Sequence, residues 1–158
     1  MVASNFFAYA YEKLLLTPWA EPCYNVCTMK LTTKQKAELT ETVKTICRRQ
    51  WHKFVLLYPE LQHFEMPEIV LNGRLKTTAG RCYQTLNRIE FGTGFWLHST
   101  EYTVIMSHEI VPHELAHQVD FNLYGESEKK CGHGKTWNQI MLNYGLAPKR
   151  FHRMDKTQ

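Results

Sequence analysis

Residues 113–117 read HELAH. Histidines four apart on an α-helix lie one above the other, so both imidazoles can reach a single ion. Such a helix must be held rigidly and must meet a further donor brought from elsewhere in the chain, which limits the folds available. The flanking sequence supports the helix. Ser99 or Thr100 can cap its start, with Glu101 in the first turn. Val104, Ile105, Ile110, Leu115, Ala116 and Val119 supply apolar positions, and Gly125 follows Tyr124 as a stop. Pro112 inside this run predicts a local kink or a missing main-chain bond.

Glu114 points about 100° round the helix from His113, beside the ligand pair rather than within it. There it can hold a water and accept its proton. Histidine pairs with an intervening glutamate on a helix signal a zinc hydrolase, in which the metal lowers the pKa of its water and polarises a carbonyl. The competing reading is two ordinary histidines on an inert helix. A catalytic zinc takes three protein ligands, so a third is expected after the helix. His133 leads because Gly132 and Gly134 flank it and a helix follows. Glu126, Glu128, Asp120 and Cys131 are the weaker choices. Asp120 and Glu109 are better placed as acceptors for an imidazole N–H. His108 reads as a surface or packing residue.

Hydrolysis of a peptide would have Glu114 take the proton of the attacking water and return it to the leaving amine. A second electrophile beside the metal could come from Tyr124, Tyr144, Lys135 or Arg150, and the sequence does not choose among them.

At 158 residues the chain suits one principal domain, and 44% hydrophobic with 22% charged residues reads as folded rather than disordered. Residues 1–28 are aromatic and nearly uncharged, with Pro18 and Pro22, and are read as an extension ahead of a domain spanning 29–158. No apolar run approaches the roughly 20 residues of a membrane span, and the N-terminus lacks a basic leader. Five scattered cysteines show no disulfide framework, and Cys23 and Cys27 lack a second pair to complete a four-sulfur site. These features predict a cytoplasmic protein with reduced thiols and no membrane partner.

The expected fold is α+β. Apolar spacing from Thr32 through Leu39, Val43, Ile46, Phe54 and Leu57 to Pro59 predicts a long helix, with Trp51 and Phe54 as packing groups. "EIVLNG" and "GRCYQTLNRIEF" predict a small antiparallel sheet, with a tight reversal at Leu86-Asn87 and residues 88–91 as its free edge. A free edge beside a metal helix can hold an extended peptide by main-chain pairing. A last helix is expected from Gly134 or Lys135 to Tyr144, with Trp137, Ile140 and Met141 inward.

Residues 129–153 contain Lys129, Lys130, Lys135, Lys149, Arg150 and Arg153 and no acid, within a chain of net charge +4. That stretch is a candidate contact for DNA phosphates or a single strand, or simply a solvated face.

"VPHELAHQVDF" followed by "GHGKTWNQIMLNYGLAPKRFHR" resembles the SprT family of bacterial zinc metalloproteases, related to the Spartan proteases that remove DNA-protein crosslinks. "MPEIVLNGRLKTTAGRCYQTLNRIEF" resembles that family's small sheet, and residues 30–59 its leading helix, so the likeness extends to about Arg153. It implies a compact zincin-like domain with one Zn2+ in a cleft between helices and sheet, held by His113, His117 and His133, with Glu114 as base. It also implies DNA-bound proteins as substrates. The cysteine-rich zinc ribbon of many bacterial members has no counterpart in this sequence, and a viral-encoded version of the family would fit. The alternatives are a nucleic-acid-binding module with a structural or vestigial zinc, and a peptidase indifferent to DNA.

Overall fold

The computed structural model describes residues 31–125 and 132–150. The extension read at residues 1–28, its boundary near Met29, and Cys23 and Cys27 lie outside them. Helix α1 (Thr33–Leu57) begins with a reciprocal cap. The Gln35 amide donates to Thr32 Oγ1 at 3.2 Å, and the Thr32 amide donates to Gln35 Oε1 at 2.9 Å. Leu39, Val43, Cys47, Trp51 and Phe54 form its buried stripe. Leu57, expected on that stripe, is exposed, because the chain leaves the helix there for a 3-10 turn, Pro59–His63, and Leu61 fills the core instead.

Three strands follow, β1 (Glu68–Asn72), β2 (Gly80–Tyr83) and β3 (Arg88–Gly92), in the order β1-β3-β2. The β2–β3 reversal runs through a 3-10 turn at Gln84–Leu86 and Asn87, whose φ of 46° is a left-handed value that asparagine tolerates. The sheet departs from the expectation in two linked ways: it is mixed rather than antiparallel, and β3 is central rather than an edge. β1 pairs with β3 in parallel (Ile69 opposite Ile89), while β2 pairs with β3 antiparallel (Arg81 opposite Glu90).

The cause lies at Asn72-Gly73, which reads as a hairpin turn but does not fold β1 onto β2. Asn72 Oδ1 accepts from the Arg74 amide at 2.8 Å, and its Nδ2 donates to Glu90 Oε2 at 2.7 Å across the sheet. The chain therefore crosses to the far side of β3. Ile89 and Phe91 are wholly buried, as suits a central strand, and the edges belong to β1 and β2, of which β2 lies beside α4.

Helix α2 (Thr93–His98), which the sequence reading did not include, precedes α3 (Thr100–Ile105). Ser99 caps α3 by accepting from the Tyr102 amide at 3.1 Å. The single kinked helix expected through Tyr124 is resolved into three parts: α3, a π turn at Met106–Ile110, and α4 (Val111–Tyr124). In the π turn the Val111 amide donates five residues back, to the Met106 carbonyl. The next amide in that register would belong to Pro112, which has none. Gln50 answers the Ser107 carbonyl left behind: its Nε2 donates at 2.9 Å, while its Oε1 accepts from the Tyr144 hydroxyl.

Helix α5 (Lys135–Tyr144) places Trp137, Ile140 and Met141 inward and ends at Gly145, with φ 92°. The Leu146 amide reaches back to the Met141 carbonyl at 2.9 Å. α4 packs against α1, α5 and β2, and all of its residues from Val111 to Asp120 are buried. Among the described residues no helix is long and apolar enough to cross a membrane.

Gln50 is 5% exposed, and removing its amide leaves two partly buried polar groups unpaired. Gln50→Leu should lower unfolding stability by about 1–3 kcal/mol and Tyr144→Phe by about 1 kcal/mol, read from urea titrations. Wild-type stability in Gln50→Leu would refute the role given to this side chain.

Candidate metal centre

α4 carries His113 and His117 one turn apart, and the residues before α5 bring His133 against them. His113 Nε2 lies 3.3 Å from His117 Nε2 and 3.2 Å from His133 Nε2. All three donor atoms fall within 4.8 Å of one another. Nitrogens bound at about 2.0–2.1 Å in a tetrahedron stand about 3.3 Å apart, so the spacing suits one small cation.

Trp137 organises the cluster. Its indole is fully buried, with ring centroids 4.8 Å from His113, 5.1 Å from His117 and 4.5 Å from His133, and it stacks on His117. Its apolar body restrains all three imidazoles, which is why the residue does more than fill space.

The ring orientation of His117 is fixed on its other side. The Gly132 main chain lies beside its Nδ1, leaving Nε2 turned to the triad. Gly132 has φ 65°, and a Cβ there would sit 3.2 Å from His117 Nδ1. Burial, followed by the proximity of His133, pushes the His117 pKa down to about 3. The ring is thus neutral near pH 7, the form that binds a metal.

Glu114 lies beside the triad, 8% exposed. Burial raises its carboxyl to about 8; the Cys82 main-chain amide and then the Arg81 charge pull the other way. A cation in the triad would add to that pull. The close approach of β2 depends on Gly80, where a Cβ would lie 2.6 Å from Glu114 Cγ and 2.9 Å from Oε1. β2 is further locked to α4 by Gln84, whose Nε2 donates to the His117 carbonyl at 2.7 Å, and by Gln118, whose Nε2 donates to the Gln84 carbonyl at 3.2 Å.

These groups border a cleft of about 590 Å³. Residues 77–82 form one wall; Gly132, His133 and Arg150 contribute to the other. The wall from β2, and Gly80 in particular, was missed in the sequence. The signal of a required glycine exists only once its neighbour is known.

The remaining candidates are dispersed. Asp120 is buried, and its carboxylate makes no hydrogen bond to the triad. Burial raises its pKa, and the neighbouring Thr136 hydroxyl lowers it. Glu109 lies in the π turn and borders a separate cavity of about 100 Å³ with Met141 and Lys149. His108 is exposed. Of the basic residues, Lys135, Lys149 and Arg150 are exposed, and Arg150 alone among them lines the cleft. Lys129, Lys130, Arg153, Glu126, Glu128 and Cys131 lie outside the described residues.

His133→Ala should lower metal content well below the wild-type level in elemental analysis after dialysis, since two imidazoles alone make an incomplete site. Gly80→Ala should keep the metal yet lose about 1–3 kcal/mol of stability as β2 is forced off Glu114. Undiminished metal in the first variant would remove His133 from the site, and unchanged stability in the second would deny the contact at Gly80.

Comparison with known proteins agrees with this geometry. The SprT-like family matches residues 47–156, a stretch that begins within α1 and includes the triad. The chain is 30% identical over 95 residues to Protein SprT of Vibrio parahaemolyticus, covering 60% of this chain and 53% of that protein. It is 33% identical over 78 residues to Protein SprT of Actinobacillus succinogenes, covering 49% and 42%. The chain thus spans about half the length of the curated relatives it matches. No solved structure matches significantly. With the match running through α4, the His133 turn and α5, the chain belongs to the SprT-like family.

Proposed function

We propose that the chain is a zinc-dependent endopeptidase that acts on proteins bound or crosslinked to DNA. The observation that carries this reading is the convergence of three imidazole Nε2 atoms, with buried Glu114 beside them, on one open cleft. Three neutral nitrogen donors suit Zn2+, and His113, His117 and His133 would hold it. When bound, zinc supplies Lewis acidity toward the substrate carbonyl and an acidified water.

The residues of the chain do the rest. Glu114 orients the attacking water and takes its proton, then returns it to the nitrogen that leaves when the peptide bond breaks. The Cys82 amide favours the charged form of that carboxylate. The free edge of β2 runs along the cleft wall and offers main-chain donors and acceptors to an extended polypeptide, favouring peptides with little demand on side chains. β2 replaces residues 88–91 in this role, because β3 is paired on both sides.

Recruitment to DNA rests on the exposed Lys135 and Lys149 and on the basic character of residues 129–153. Contacts through phosphates would bind without reading sequence. A module that binds DNA around a structural zinc makes less use of Glu114, since a closed site needs no proton acceptor beside it.

The test is cleavage of a basic DNA-binding protein by zinc-loaded enzyme, with and without single-stranded DNA. Glu114→Gln should retain one zinc per chain while cleavage falls by about 10²–10⁴-fold. DNA should accelerate the wild type, with an effect that weakens as salt rises. Cleavage indifferent to DNA would discard recruitment and keep the peptidase; equal cleavage by both proteins would discard the peptidase.

A further inference from the structure

Hydrolysis of a peptide builds negative charge on the acyl oxygen, and donors aimed at that oxygen lower the barrier. Four side chains were open for this task from the sequence, and the fold separates them. Tyr124 is 59% exposed and stands seven residues past His117, about 10 Å further along α4 at 1.5 Å per residue. Tyr144 is committed to the core: its hydroxyl donates to Gln50 and its ring lies 4.4 Å from Phe54. Lys135 is exposed at the first residue of α5 and does not border the cleft. Arg150 does border it, together with Glu114 and all three histidines.

One other cation, Arg81, lines the cleft, but its guanidinium is engaged by Tyr83. Arg81 alternates along β2 with Gly80 and Cys82, which face α4 through Glu114 and Gln118. Its side chain therefore leaves the strand on the face of Tyr83, with the guanidinium 3.5 Å from the Tyr83 hydroxyl, and its charge reaches Glu90 and, to a smaller extent, Glu114. The route that delivers Arg150 is well defined. Gly145 ends α5 with φ 92°, Leu146 is tied to Met141, and the Lys149 amide donates to the Ala147 carbonyl at 2.8 Å, bending the chain toward the cleft.

We propose that Arg150 is a catalytic residue of the peptidase reaction, donating hydrogen bonds from its guanidinium to the acyl oxygen of the scissile bond. The inference rests on the peptidase reading above. Guanidinium stays charged at any working pH and offers planar donors without giving up a proton. The balance is unaltered: water oxygen bonds to the acyl carbon, the carbon–nitrogen bond breaks, and the proton passes through Glu114 to the amine. Arg150 neither gains nor loses a proton. This assigns Arg150 to the peptide rather than to DNA, and leaves Lys135 and Lys149 as the described phosphate candidates.

The experiment compares zinc-loaded wild type, Arg150→Ala and Arg150→Lys on a fluorogenic unstructured peptide, with zinc content measured on each. Arg150→Ala should lose about 10²–10³-fold in kcat, with KM within about threefold and zinc unchanged, while Arg150→Lys keeps part of the rate. Added guanidinium ion should restore part of the Ala variant's activity. Binding of a phosphinic peptide, which mimics the tetrahedral adduct, should weaken by a similar factor. An unaffected kcat, an effect on KM alone, or loss of zinc would each overturn the role of Arg150 while leaving the peptidase in place. A wild type that cleaves nothing would overturn the peptidase reading and this inference together.

Discussion

A missing hydrogen atom sets much of this architecture. Pro112 has no amide to donate, so the helix that enters α4 widens into a π turn and leaves the Ser107 carbonyl facing the core. Gln50 of α1 meets that carbonyl and is itself held by Tyr144 of α5. Three segments distant in sequence thus share one partly buried polar junction, and the helix it anchors begins two residues before His113. A helix without the proline would not require the junction, and its first turn would be fixed only by apolar packing.

The centre is organised by similar pairings of an aromatic or main-chain group with an imidazole. Trp137 touches all three rings, while the Gly132 main chain lies behind His117. Glu114 is set apart from this cluster by its contact with β2, whose approach is permitted by the absence of a side chain at Gly80. The imidazole cluster and Glu114 are therefore supported by different elements, α5 for one and the sheet for the other. Each can be perturbed with the other left in place.

Much of this was legible in the sequence because the relevant signals are local. The cap at Ser99 or Thr100, the reversal at Leu86-Asn87, the stop at Gly125 and the α5 stripe through Trp137 and Ile140 depend on neighbouring residues only. The convergence of His133 on His113 and His117 could be read from helix periodicity and flanking glycines. Strand order was not legible, since Asn72-Gly73 carries the same letters whether it closes a hairpin or spends its side chain on Arg74 and Glu90. Leu57 looked apolar and inward until Pro59 diverted the chain. Gly80 and Gln50 act across long separations, so nothing beside them in the chain marks their partners.

The placement of the third histidine has a consequence for folding. Fifteen residues separate His117 from His133, so an ion that joins them is a cross-link as well as a reagent. Closing a loop of that length removes freedom from the unfolded chain, on the order of 3 kcal/mol in the chain-entropy treatment used for covalent bridges. Were such an ion bound, occupancy and fold would be thermodynamically linked: the docking of α5 on α4 would grow firmer as free metal rises, and scarcity of the ion would loosen the same wall that shapes the cleft.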